Sequence, residues 1–196
     1  MTFKVFDIKI TLSYFFIFIL VSILLAGFYI EFFAVFLALI VHEVAHISVA
    51  KSLNIEVEEL EFWPFGGRIK LVFDETSPES EMITVLAGPI ANFAVAGIVF
   101  FLVVEELISL NLAQMLIKYQ LSLGFFNMLP ALPLDGGRIF VLWLRQFMNY
   151  LSAVRIATKF GKVLALIIFF FALIGFALGK LYINLLFISV LLFVLA

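Results

Sequence analysis

Apolar residues run almost unbroken through six stretches of this chain, at 10–30, 32–52, 82–104, 110–129, 160–178 and 181–196. A helix that crosses a bilayer needs about 20 mostly apolar residues, so each stretch predicts one spanning helix. The fourth is the most polar, with Gln114, Lys118 and Gln120. The first follows Lys4 and Lys9. It is too long for the roughly 7–15 apolar residues of a signal peptide and lacks a small-residue cleavage site, so it reads as a retained span. Between the second and third stretches the period changes. Ile55 and Val57 alternate with Glu56 and Glu58, Leu60 and Phe62 with Glu59 and Glu61, and Arg68-Ile69-Lys70-Leu71 alternates again. Period two predicts half-buried strands, and Pro64 with Gly66-Gly67 supplies a turn. The expected architecture is an all-α polytopic membrane protein of about six transmembrane helices, with a small membrane-associated β-hairpin between the second and third. No repeat or linker interrupts it, so residues 1–196 read as a single domain.

Composition agrees. The chain is 65% hydrophobic and 13% charged, with 26 Phe and a mean hydropathy of +1.25. A soluble domain is about half apolar and about a quarter charged. The surplus apolar surface is expected to face lipid, including Phe-rich runs such as "IIFFFALIGF". A net charge of −2 without a basic patch excludes nucleic acid as a partner. Cysteine is absent, which excludes disulfides and thiolate metal sites. Cationic residues orient the spans. With the N-terminus in the cytosol, Lys4, Lys9, Lys51, Arg68, Lys70, Arg138, Arg145, Arg155, Lys159 and Lys162 fall inside, and only Lys118 and Lys180 fall outside. Both termini and the loops 53–81 and 130–159 are then cytosolic.

Against this background "VHEVAH", residues 41–46, is anomalous. His42, Glu43 and His46 stand inside a predicted span, where ionisable groups are costly and functional by default. His42 and His46 are also the chain's only two histidines. On a helix, positions i and i+4 share a face, so both imidazoles can address one metal ion. Glu43 is then placed as general base toward a metal-activated water. A hydrogen-bonded core histidine pair is the plainer reading, but it leaves the neighbouring acid unexplained. A catalytic zinc takes three protein ligands. With His exhausted and Cys absent, the third must be Asp or Glu. Asp135, in "NMLPALPLDGG", stands apart from the acids of the strands. Pro130 and Pro133 interrupt regular helix there. Gly136-Gly137 allows positive φ or a close backbone approach. The stretch reads as unwound chain returning a carboxylate to the bundle. An ordinary loop Asp in a glycine turn is the alternative.

The pairing of "HEVAH" with "NMLPALPLDGG" resembles the site-2 proteases, zinc metalloproteases that cleave within or near the membrane. Asn127, Pro130, Asp135 and Gly136 match the fixed positions of that family's second signature, N-x-x-P-x-x-x-x-D-G. "AGPIAN", at 87–92, and the "FWPFGG" turn are further family-like elements. The nearest branch is that of stage IV sporulation protein FB and related six-span members. Such members often carry a C-terminal CBS domain; none stands in these residues, which fits either a natural member without one or a shortened chain. The resemblance implies that His42, His46 and Asp135 bind one Zn2+ and that Glu43 is the catalytic base. It implies a membrane-associated protein substrate, such as a pro-sigma or anti-sigma factor, possible membrane regulators as partners, and regulated intramembrane proteolysis as the setting.

Other residues carry two readings each. Asn127 can donate to an oxyanion or cap a helix end. Asn92 can act near the site, while Gly88 and Pro89 are expected to shape a helix start, with close packing at Gly97. The strand Ile69, Lys70, Leu71, Val72 and Phe73 can receive an extended substrate as an added strand or merely shield the site. A membrane metal-ion transporter would need more polar ligands along several spans. A non-proteolytic scaffold related to the proteases would not need an intact Glu43.

Overall fold

The computed structural model describes residues 2–5, 8–63, 66–72, 77–178 and 182–195. They form two compact units, residues 1–125 and 126–196. The first holds strands β1 (Thr2–Val5) and β2 (Ile8–Leu12), helices α1 (Tyr14–Leu25) and α2 (Tyr29–Ser52), strands β3 (Glu56–Trp63) and β4 (Gly66–Val72), helix α3 (Pro78–Val104) and most of α4 (Leu110–Asn127). The second holds α5 (Asp135–Leu144), α6 (Tyr150–Ala177) and α7 (Ile183–Leu195).

Among the described residues, α2, α3 and α6 are long and apolar enough to cross a membrane. The 24 residues of α2 reach about 36 Å at 1.5 Å per residue. Helices α4 and α7 occupy the expected fourth and sixth stretches, but neither is among those three. Span one is shorter than expected, because α1 has only 12 residues. Ile10, Thr11 and Leu12 belong instead to β2, paired with Leu60, Glu61 and Phe62 of β3. Gly27, at φ 83, then separates α1 from α2. Left-handed backbone of this kind is easy for glycine and strained for other residues.

The expected hairpin is present as β3 and β4, antiparallel, and it is part of a larger sheet. The strand order is β1-β2-β3-β4, with β2 parallel to β3. Two glutamates in succession explain a change of phase along β3. Val57 pairs with Leu71 and Glu59 with Lys70, so Glu58 is the extra residue of a bulge. An inserted residue moves the next apolar position back to the inner face. Ile55, Val57 and Leu60 therefore all pack with Ala50, Ile47 and Leu53 at the end of α2. The outer face is polar. Thr11 Oγ1 donates to Glu59 Oε1 at 2.6 Å, and Lys9 pairs with Glu59 at 2.9 Å.

Helix starts follow capping chemistry. Ser77 accepts from Ser80 N–H ahead of α3, and Asn149 accepts from Ser152 N–H ahead of α6. Such side chains satisfy backbone donors that a helix leaves free. Along α6 the buried positions are Ala153, Ala157, Gly161, Ala165, Ala172 and Gly175, whereas Phe170, Phe171 and Phe176 are exposed. Membrane helices pack through small residues because lipid already satisfies the large apolar ones. The lipid-facing reading of the Phe-rich run agrees with this pattern.

Candidate metal centre

His42 and His46 lie on one face of α2, both buried. Their rings are nearly perpendicular, with centroids 4.7 Å apart. Each ring is held by its Nδ1. His42 Nδ1 lies 2.6 Å from Asn92 Oδ1, and His46 Nδ1 lies 2.7 Å from the Thr84 carbonyl. Both partners accept only, so both Nδ1 atoms carry the proton and both Nε2 atoms present lone pairs. Those Nε2 atoms face each other at 3.2 Å. Two lone pairs at that distance repel unless a cation lies beside them. At a zinc–nitrogen distance of about 2.05 Å, the separation subtends about 103°, close to tetrahedral. The pair therefore fits a zinc ion.

Helix α3 supplies the floor. A Cβ at Gly88 would collide with His46 Nε2 and come within 2.7 Å of His42 Cε1 and 2.8 Å of His42 Nε2. Glycine lets the α3 backbone pass where any side chain would fill the ligand space. This corrects the expected role of "AGPIAN". Pro89 lies well inside α3, which starts at Pro78, and Gly88 is required by the imidazoles. Gly97 makes no close packing; a Cβ there would meet nothing within 4 Å.

Glu43 is 4% exposed, one residue beyond His42. The Gly67 N–H, at the hairpin turn, donates to its Oε1 at 3.1 Å. A Cβ at Gly67 would strike Glu43 Cδ and lie 2.7 Å from Cγ. The sheet thus delivers a backbone donor to the carboxylate beside the histidines.

Asp135 opens α5 and is 8% exposed. A carboxylate in a first turn is favoured by the exposed N–H groups and the helix dipole. Gly136 and Gly137 are helical, and neither takes the positive φ allowed for them. They are needed for close approach. A Cβ at Gly136 would strike the Met128 carbonyl, and one at Gly137 would meet Leu132 N at 2.5 Å and the Ala131 carbonyl oxygen at 2.6 Å. The returning segment before α5 therefore packs directly on its first turn. Within the first unit, His42 and His46 thus offer two buried ligand atoms, and Asp135, in the second, offers a buried carboxylate.

Residues 30–109 and 104–175 match the model of peptidase family M50. The chain belongs to that family. It is 36% identical over 149 residues to a zinc metalloprotease of Methanocaldococcus jannaschii, covering 74% of this chain and 43% of that protein. It is 26% identical over 124 residues to stage IV sporulation protein FB of Bacillus subtilis, covering 63% of this chain and 43% of that protein. The structure matches that of the site-2 protease from M. jannaschii with a TM-score of 0.78 at 30% identity, covering 100% of this chain and 92% of that chain. The chain spans less than half the length of these curated relatives.

Within this M50 chain the remaining candidates divide. Asn92 is completely buried, and both its amide hydrogens are in use, on the Ala38 carbonyl at 3.0 Å and on Gln120 Oε1. In this arrangement it orients His42. Asn127 is the half-buried last residue of α4. Ile69, Lys70, Leu71 and Val72 lie in β4, an edge strand of the sheet; Phe73 lies outside the described residues. Sequence reasoning missed Thr84 and Gln120. Thr84 acts through its backbone carbonyl, which no side-chain pattern reveals. Gln120 left a signal, a polar residue in an apolar helix, which reads more naturally as a weak span.

Proposed function

We propose that this protein is a zinc metallopeptidase that hydrolyses a peptide bond in or near the membrane segment of a membrane-associated protein. One observation carries the reading: two buried imidazoles held with both Nε2 atoms toward one point, with the buried acid Glu43 beside them. His42, His46 and Asp135 are the ligands in this reading, and Glu43 is the base. Zinc, when bound, polarises the scissile carbonyl and makes an attacking water acidic near neutral pH. Glu43 takes that water's proton and passes it to the leaving amine. The Gly67 amide holds the Glu43 carboxylate, which limits its rotation. Burial of the pair and of Glu43 excludes bulk water and strengthens each of these interactions.

A helical substrate must unwind before its peptide bond is accessible. We assign reception of the extended segment to the free edge of β4, over Ile69 to Val72 and on to Phe73. Two features support this. Among the described residues β4 pairs on one side only, with β3, and a sheet edge offers backbone groups to an added strand. Its first residues, Gly66 and Gly67, adjoin Glu43, so a peptide laid along β4 leads toward the base. Asn127 is assigned as the oxyanion donor. Membrane-held precursors such as pro-sigma or anti-sigma factors are assigned as the substrates, a reading that the likeness to a sporulation protein supports. The cationic bias of the loops supports cytosolic termini and a site open to the cytosolic side.

The test is Glu43→Gln, with cleavage of a candidate precursor followed alongside zinc content. Cleavage is expected to disappear while zinc is retained. Cleavage at the original rate would overturn the reading.

A further inference from the structure

We infer that Gln120, in α4, is a positioning residue for the zinc centre, acting through Asn92 to fix the tautomer of His42. The inference rests on the metallopeptidase reading. Gln120 is 1% exposed, although it lies in a mostly apolar helix. A buried amide with no task is expensive when unsatisfied, and a leucine would fill the space without that cost. What Gln120 contacts explains its presence. Its Oε1 accepts from Asn92 Nδ2, and the Ala38 carbonyl accepts from the same nitrogen.

The consequence follows from the chemistry of an amide. Asn92 can turn either end toward His42. With Oδ1 there, His42 must donate from Nδ1, and Nε2 keeps its lone pair for a metal. With Nδ2 there, His42 must accept at Nδ1, so the proton of the neutral ring moves to Nε2 and blocks the ligand position. Two acceptors, Ala38 O and Gln120 Oε1, hold Nδ2 away from the ring. Only the Oδ1-facing orientation satisfies both. Orientation of a ligating histidine through its second nitrogen is a general device of metal sites. Here the device extends one residue further, from His42 to Asn92 to Gln120. His46 is independent of it, because its Nδ1 donates to a backbone carbonyl that cannot flip.

This independence gives an internal control. The chain has only two histidines, so protein labelled with 15N in histidine alone gives four ring-nitrogen signals. In metal-free wild-type protein in detergent at a pH where both rings are neutral, both histidines are expected with the proton on Nδ1. Gln120→Met removes the acceptor with little change of volume. It is expected to shift His42 toward a mixture of tautomers, to leave His46 with its proton on Nδ1, and to weaken zinc binding about tenfold in chelator competition, at the low end for outer partners of a metal site. Gln120→Glu retains an acceptor and is expected to restore the His42 signal and the zinc affinity. An unshifted His42 signal with wild-type zinc affinity in Gln120→Met overturns the inference. So does a wild-type His42 found with its proton on Nε2, a measurement that needs no variant to fold. In either case zinc binding and Glu43-dependent cleavage by the wild type would leave the metallopeptidase reading standing. That reading fails separately, if the wild type binds no zinc or Glu43→Gln still cleaves.

Discussion

Gly88→Ala is expected to abolish zinc binding while leaving the protein folded. The added methyl would lie 2.7 Å from His42 Cε1, 2.8 Å from His42 Nε2 and still nearer His46 Nε2. Ordinary carbon–nitrogen contact is about 3.5 Å, on the scale of other non-bonded atom pairs. The rings must therefore give way by about 0.7 Å or more. Metal sites tolerate about 0.2 Å in ligand distance, so the displacement exceeds the tolerance severalfold. It also pulls on the Nδ1 bonds to Asn92 and Thr84, 2.6 and 2.7 Å long. Fold stability should change far less. Overpacking costs about 1–3 kcal/mol, and replacing glycine by alanine inside a helix returns about 1 kcal/mol. The net change is then about 0–2 kcal/mol. Zinc affinity by chelator competition is expected to fall at least a hundredfold, with a thermal midpoint within a few degrees of wild type. Gly97→Ala is the control on the same helix, since its Cβ meets nothing within 4 Å; it should keep zinc and gain slightly in stability. If Gly88→Ala binds zinc with wild-type affinity, the close passage of α3 over the imidazoles is wrong.

Three further outcomes separate the parts of the site. Gly67→Ala should keep zinc but lose most cleavage, because its methyl displaces Glu43 and leaves the histidines untouched; loss of zinc content would refute that separation. Asp135→Asn keeps the shape of the side chain but weakens it as a ligand, so zinc affinity measured by competition should fall at least tenfold, and an unchanged affinity would remove Asp135 from the ligand set. The Glu59 carboxyl titrates below its ordinary value of 4.5, first through the hydrogen bond from Thr11 and then through that from Lys9. A depressed folded value contributes stability above the unfolded value that is lost as pH falls through the folded one, so hydrogen exchange in β2 and β3 should quicken in acid below about 4.5, and Glu59→Gln should flatten that dependence. Glu59 is partly exposed and its partner Lys9 more so, so the effect should be small and weakened by salt.

Much of the fold is legible because membrane constraint acts on long runs of residues. The stretches at 32–52 and 82–104 became α2 and α3 within a few residues, since about 20 apolar residues can satisfy their backbone in lipid only as helix. The failures are places where a partner distant in sequence overrides the local pattern. Ile10 to Leu12 read as the start of a span, yet β3 captures them as a strand some 50 residues away. The stretch 127–137 reads as unwound chain because of its prolines and glycines; 128–134 is irregular, yet the glycines lie within α5. Glycine in a helix signals a cost that some contact must offset. Here the contact is the carbonyl backbone of 128–131.

The site divides along the same line. Of the proposed site residues, His42, Glu43 and His46 stand out because hydrocarbon makes them conspicuous, and Asp135 because prolines and glycines set it apart from the other acids. The groups that hold them were much less so, for two are backbone atoms, the Thr84 carbonyl and the Gly67 amide. A backbone donor or acceptor leaves no residue type behind. What it leaves is a requirement for space, met at Gly67 and Gly88 by the lack of a side chain. Both glycines had an ordinary local explanation, one as a turn and one as a helix start, and neither explanation predicts an imidazole or a carboxylate within 3 Å of the missing Cβ. In a buried centre of this kind the ligands are therefore read from what the sequence adds, and their supports from what it leaves out.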